Sequence, residues 1–348
     1  MGHIVQKKLP SALEIQKKFP ISETEKTAVK QHQNEIKDIL SGKDTRKILI
    51  VGPCSAWPSE SVLEYAEKLK KIAEKVDDRV KIVMRVYLQK PRTTIGWLGP
   101  LNQPDPFLAP DMELGIEYCR KMMVEVTKMG LPMADEALFT HNDSYFLDLL
   151  SWVAIGARSA EDQEHRIFSS MIDLPVGIKN NTAGNIEIGI NSLIAAQYSH
   201  VFAFHGNQIK TTGNPHAHLI LRGGLSGPNY DKVSIETVIK SMDFHKIQNP
   251  GIIVDLSHDN SIDPETGQKN PLAQPKIMHH VLENMKKFPE INAHIKGFMA
   301  ESFLAEGKQD IKKCQSLDNV VPGLSITDGC LGLKKTELMI WELAETTE

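Results

Sequence analysis

The sequence predicts an α/β protein: a (β/α)8 TIM barrel with an N-terminal helical arm and a small inserted β-hairpin. Short apolar runs alternate with amphipathic helical stretches along the 348 residues, and strand–helix alternation implies a parallel sheet. The runs are continuously apolar, as in Ile48-Leu49-Ile50-Val51, which is how a strand buried on both faces reads. About eight such units fit a closed barrel. A doubly wound open sheet fits the alternation too, but no G-x-G-x-x-G follows the first run, which weakens a dinucleotide fold.

Residues 1–45 read as the arm and 46–348 as the barrel. Ser22-Glu23-Thr24-Glu25 is a capping box that opens a helix, and Gly42 is placed to stop it. The helix has a thin apolar stripe, Val29, Ile36, Ile39 and Leu40. It is enough to dock on a larger body but not to make a core, and an oligomer contact is one use for it. Strands are expected at 48–51, 82–86, 132–134, 153–157, 176–179, 217–222, 252–256 and 297–300. Helices are expected near 62–72, 111–129, 141–151, 186–198, 233–243, 271–287 and 334–346. Residues 201–204 and 208–212 suit the hairpin.

Composition excludes several classes of function. With 40 Lys and Arg against 44 Asp and Glu, the chain has no global field for nucleic acid. No run approaches the roughly 20 apolar residues of a membrane span, and the lysine-bearing N-terminus lacks the apolar core of a signal peptide. Four scattered cysteines suit a reducing compartment. The sequence therefore predicts a cytoplasmic protein whose partners are small molecules.

In a parallel barrel, chemistry sits where the strands end, and those ends are polar here. In order they carry Cys54; Arg85, then Lys90, Arg92 and Thr93; Glu136; Ala157-Arg158; Lys179; Arg222; His258; Glu301; and, soon after, Asp328. Each alone has an ordinary structural explanation, since Cys54 could be a small buried hydrophobe and Glu301 or Asp328 a helix cap. Together they fall into two sets. Cys54, His258, Glu301 and Asp328 offer a thiolate, an imidazole and two carboxylates, a mixture that suits Mn, Fe, Co or Zn better than Mg or Ca. Their spacing matches no short metal motif. Arg85, Lys90, Arg92, Arg158, Lys179 and Arg222 would repel one another unless anions lie between them. Two phosphorylated substrates, one also a carboxylate, would account for them. His165, His205, His216, His218, His279 and His280 have no such company and read as structural or solvated. No Gly-x-Ser-x-Gly elbow or Walker A sequence is present.

Gly52-Pro53-Cys54-Ser55, Lys90-Pro91-Arg92-Thr93-Thr94, Gly156-Ala157-Arg158, Leu221-Arg222-Gly223-Gly224, Asp255-Leu256-Ser257-His258, Ala300-Glu301-Ser302 and Ser325-Ile326-Thr327-Asp328 together resemble one family. It is the feedback-regulated microbial branch of the type I 3-deoxy-D-arabino-heptulosonate 7-phosphate (DAHP) synthases. The resemblance implies a metal-dependent, aldol-type condensation of phosphoenolpyruvate with erythrose 4-phosphate and water, giving DAHP and phosphate, the first step of the shikimate pathway. It implies that Cys54, His258, Glu301 and Asp328 hold one divalent metal. Arg85, Arg158, Lys179 and Arg222, with the backbone near Ala157 and Glu136, would hold phosphoenolpyruvate, and Lys90, Arg92 and Thr93 would serve erythrose 4-phosphate. Lys90 would stabilise or protonate the developing alkoxide, and Glu136 is a candidate for activating the water. An aromatic amino-acid effector and a homodimer or homotetramer are implied as well.

Three stretches depart from the family: Ala56-Trp57-Pro58 after the cysteine, Ala137-Leu138-Phe139 after Glu136, and a shortened hairpin over 204–214. In the family that this chain resembles, the last two help form the aromatic amino-acid site, so the identity of the effector is open. Asn181-Thr182-Ala183-Gly184 is a further, tolerable change. Two other readings stand beside the main one: the same chemistry on another aldose phosphate, and a non-catalytic barrel that binds aromatic amino acids.

Overall fold

The computed structural model describes residues 2–92, 94–204 and 206–347. Eight parallel strands close on themselves: β1 (Lys47–Gly52), β2 (Val80–Arg85), β3 (Met133–Glu136), β4 (Trp152–Ile155), β5 (Val176–Lys179), β8 (Ala217–Leu221), β9 (Ile252–Asp255) and β10 (Ile295–Phe303). Closure is the pairing of β10 back onto β1, with Ile48 opposite Gly297 and Gly52 opposite Glu301. The hairpin β6 (Val201–Phe204) and β7 (Asn207–Lys210) is inserted before β8. A two-residue strand β11 (Leu331–Gly332) pairs beside the end of β10.

The arm carries α1 (Ala12–Lys18) and α2 (Glu23–Ser41), and between the strands lie α3 (Ser59–Val76), α4 (Met112–Lys128), α5 (Gln163–Met171), α6 (Ile186–Gln197), α7 (Lys232–Phe244), α8 (Gln274–Lys287) and α9 (Pro289–His294). A single turn, α10 (Ile311–Cys314), and the C-terminal α11 (Leu333–Thr346) follow β10. Helix α2 starts in a complete Ser22/Glu25 capping box and ends on Gly42 at φ 79°, a left-handed conformation open to glycine. Residues 141–151 do not form the expected helix. They make two 3₁₀ turns, Thr140–Tyr145 and Leu147–Leu149, in keeping with the weak helix propensity of Asn, Asp and Ser. The final barrel strand runs to Phe303, past the expected end at 300, so Glu301 lies within it.

The core has two shells. Outside the barrel, strand and helix side chains form one continuous apolar layer. Inside, Ile48, Ile50, Val83, Tyr87, Ala134, Trp152, Ile220, Ile253 and Met299 pack together with Ile36, Ile39 and Leu40 of α2. The stripe of α2 therefore plugs the end of the barrel where the strands begin. Deep in the interior, Trp152 Nε1 donates to His218 Nε2 at 3.1 Å. Indole nitrogen is only a donor, so the imidazole proton sits on Nδ1, which reaches the carbonyl of His216 at 2.9 Å. Burial pulls the His218 pKa down to about 4, so it is a neutral core histidine. Apolar packing closes that end of the barrel interior, and the polar cavity that the strand ends line lies at the other.

Candidate active site

At the C-terminal ends of the strands the barrel opens into a cavity of about 530 Å3. Its walls include Cys54, Arg85, Lys90, Arg92, Glu136, Ala157, Arg158, Lys179, Arg222, His258 and Asp328. Glu301 lies behind this lining, 1% exposed, and Thr93 is outside the described residues. Nearly every strand contributes, because each ends its apolar run where the barrel opens. Two glycines permit the close approach. A Cβ on Gly52 would stand 2.6 Å from the Arg85 carbonyl oxygen, and one on Gly156 would stand 2.4 Å from Glu136 Oε1.

Arg85 is fully buried. Its Nη2 donates to Glu301 Oε1 at 3.1 Å, and its guanidinium lies 4.0 Å from the centre of the Tyr87 ring. Among the described residues its Nε and Nη1 have no hydrogen-bond partner, and neither does Nε of Arg222. Lys90 Nζ and Lys179 Nζ stand 5.7 and 5.9 Å from the same Tyr87 ring. Three cations thus lie close to one aromatic ring, which eases their crowding but does not neutralise it. Burial works against the charged form of Arg85, yet the groups around it, Glu301 foremost, together outweigh it and hold the pKa above its ordinary value. Burial lowers that of Lys179 despite Asp255, 3.5 Å away. Arg222 Nη1 donates to Asp259 Oδ2 at 2.6 Å.

In contact with Arg85 and Lys90, Sγ of Cys54 and a carboxylate oxygen from each of Glu301 and Asp328 lie within 4.8 Å of one another. His258 is not part of this tight group. Its Nδ1 lies 2.8 Å from Asp255 Oδ2 and 2.8 Å from Ser257 Oγ, which leaves Nε2 as the ring atom for another partner. The His258 backbone is left-handed at φ 53°, an uncommon and costly state for a non-glycine residue. Burial and the Glu301 charge push the Cys54 thiol up, with Lys90 opposing. Lys90 Nζ donates to the Cys54 carbonyl at 2.6 Å and to its sulfur at 3.3 Å. Burial would raise the carboxyls of Glu301 and Asp328. Arg85 and His258 overcome that at Glu301, and Lys269, 2.7 Å away, overcomes it at Asp328, so both lie below the usual carboxylate range.

A thiol, two ionised carboxylates and a histidine oriented by a carboxylate fit a divalent transition metal, because ligating histidines commonly present their other nitrogen to such a partner. Sequence reasoning gave no role to Lys269, Asp259 or Tyr87. Tyr87 was within reach, since residue i+2 from Arg85 shares its face. Lys269 and Asp259 lie in the segment after β9, where no periodicity points inward.

The family model described as the DAHP synthetase I family matches residues 18–340. The Tyr-sensitive phospho-2-dehydro-3-deoxyheptonate aldolase of Salmonella typhimurium is 38% identical over 330 residues, covering 93% of this chain and 89% of that protein. The Trp-sensitive enzyme of Escherichia coli is 35% identical over 346 residues, 98% of this chain and 95% of that protein. The solved structure of phospho-2-dehydro-3-deoxyheptonate aldolase from Francisella tularensis superposes with a TM-score of 0.91 at 34% identity, over 99% of this chain and 98% of that one. With a family match across most of its length and relatives this similar over nearly all of it, the chain belongs to the DAHP synthetase I family.

Proposed function

We propose that the cavity condenses phosphoenolpyruvate with erythrose 4-phosphate and water, releasing phosphate, with one divalent metal held by Cys54, His258, Glu301 and Asp328. The main support is the set of unpaired buried N–H groups, Arg85 Nε and Nη1 and Arg222 Nε, around one cavity. Buried donors are almost always satisfied, and a ligand bearing phosphate and carboxylate oxygens would satisfy these. Arg85, Arg158, Lys179 and Arg222 bind phosphoenolpyruvate, assisted by the backbone at Ala157. Lys90, Arg92 and Thr93 bind the phosphate end of the aldose. When bound, the metal supplies Lewis-acid polarisation of the aldehyde oxygen.

The enol phosphate attacks the aldehyde carbon through C3, and Lys90 gives the developing alkoxide a proton from Nζ. Burial disfavours the charged ammonium, but the surrounding acidic groups, Glu301 and Glu136 among them, hold the Lys90 pKa above its ordinary value, so it stays protonated. Glu136, 8% exposed and lining the cavity, takes a proton from the water that adds at C2. The guanidiniums of Arg158 and Arg222 and the ammonium of Lys179 stabilise the departing phosphate. The test is phosphate release that needs both substrates, stops with chelator and returns with Mn, Fe, Co or Zn. Parallel assays with other aldose phosphates establish the second substrate. Release without an aldose, or turnover indifferent to chelation, would defeat the proposal.

An aromatic amino acid is proposed as effector, in a second cavity of about 320 Å3 lined by Thr140, Glu164, Phe168, Met171 and Phe202. Its aromatic and thioether walls suit a ring, and Glu164 suits an ammonium group. Parallel inhibition assays with Phe, Tyr and Trp identify the effector, and Phe202→Ala should remove inhibition while leaving uninhibited turnover intact.

A further inference from the structure

Where the substrate loop leaves the barrel, one side chain stands in for the sheet. The parallel ladder between β2 and β3 continues past Arg85. Met84 N–H donates to the Pro132 carbonyl and Val86 N–H to the Ala134 carbonyl, both at 2.8 Å. The next acceptor in that register is the Glu136 carbonyl, with Leu88 as donor. Leu88 N–H instead donates to Asp135 Oδ1 at 3.1 Å, and the same oxygen accepts the N–H of Glu136 at 2.8 Å. The ladder therefore ends on a carboxylate, and the chain turns off the sheet at Leu88.

Leu88 is the foot of the loop that carries Lys90 and Arg92. Its carbonyl accepts from Leu101 N–H at 3.3 Å, and Lys90 N–H donates to the Leu98 carbonyl at 2.9 Å, closing the stem. By strand alternation, Ala134 packs inside the barrel and Asp135 points to the outer side. There it has no ion-pair partner among the described residues. Burial pushes its carboxyl up to about 7, against the pull of the two N–H groups. Packing alone gives no reason for an acid in such a place.

We infer that Asp135 is a positioning residue: its carboxylate holds the foot of the Lys90 loop and the backbone of Glu136 in one register, and so aims Lys90 and Arg92 into the cavity. Asp135 touches neither substrate and acts through Leu88. The inference rests on the proposal that this loop serves the aldose phosphate.

Asp135→Ala and Asp135→Asn test it, with each substrate varied in turn. Both native bonds go to Oδ1, so Asn retains the acceptor and Ala does not. Asp135→Ala should raise the KM for erythrose 4-phosphate by at least about tenfold, the scale of one buried N–H left without its acceptor. The KM for phosphoenolpyruvate should stay within about twofold, and Asn should restore the aldose KM to within about threefold of wild type. Hydrogen exchange at the Leu88 amide should accelerate in the Ala variant and not in the Asn variant. An aldose KM unchanged in Ala, or Asn falling together with Ala, overturns the inference. Should Asp135→Ala not fold, Asp135→Glu, which moves the carboxylate by one methylene, is read in its place with the same expected rise. If wild-type protein does not turn over this substrate pair, the functional proposal fails and the exchange experiment alone decides the role of Asp135.

Discussion

Arg85→Lys probes the anion-binding proposal at its most demanding point. Arg85 is buried at the end of β2, with one nitrogen on Glu301 at 3.1 Å and two nitrogens without a partner among the described residues. Substitution by Ala would strand the buried Glu301 carboxylate, which typically costs about 3–5 kcal/mol of stability. Lys keeps a cation beside Glu301 but lacks the planar fork that meets a carboxylate or phosphate with two parallel N–H bonds. Two hydrogen bonds to a charged group at roughly 1.5–3 kcal/mol each amount to about 3–6 kcal/mol. At about 1.4 kcal/mol per tenfold, kcat/KM for phosphoenolpyruvate should fall by roughly 10² to 10⁴. The assay is the initial rate of phosphate release with phosphoenolpyruvate varied at saturating aldose, with a thermal melt to confirm that the variant is folded. A folded Arg85→Lys within about tenfold of wild type would refute the assignment, because orphan N–H groups that meet substrate cannot be this dispensable.

Glu301→Gln removes one carboxylate from the Cys54, Glu301 and Asp328 group and should weaken a titrated divalent metal by at least about tenfold; calorimetry showing unchanged affinity would take Glu301 out of the site. Ile39→Ala, at a residue 1% exposed in the barrel plug, should lower the unfolding free energy by about 2–5 kcal/mol in urea. A loss below about 0.5 kcal/mol, the range of surface substitutions, would mean that α2 does not seal the barrel. Asp135 supplies a pH test of stability. Folding raises its pKa from 3.8 to about 7, so the native state binds a proton more readily than the unfolded chain between those values. The stability this confers is full below the unfolded pKa and is lost as pH rises through about 7. Thermal melts of Asp135→Asn against wild type should therefore shift in the variant's favour between about pH 5 and pH 8; a gap that does not change with pH would contradict it.

Much of the barrel could be read from the chain because its strands are buried on both faces, so Ile48–Val51 and Ile252–Val254 are continuous apolar runs, each bounded by a glycine and a charged residue. Local chemistry also carried the ends of α2, since the Ser22/Glu25 box and Gly42 act within a few residues of themselves. The stretch 141–151 misled because its spacing suits a helix while its Asn, Asp and Ser content favours turns. The destination of the Ile36, Ile39 and Leu40 stripe was not legible, because an amphipathic helix specifies that it must dock and not where.

The sequence by itself determined the chemical inventory of the cavity: apolar strands each ending in a cation, a thiol or a carboxylate, in an order that resembles one family. Only the tertiary structure decided how that inventory is spent. It brings Cys54, Glu301 and Asp328 within 4.8 Å of one another across most of the chain's length. It turns His258 onto Asp255, sets Lys269 against Asp328, and ends the β2–β3 ladder on Asp135. Hydrophobic periodicity is local and survives in one dimension. Ion pairs and hydrogen bonds depend on distances of a few ångströms between residues that only barrel closure makes neighbours.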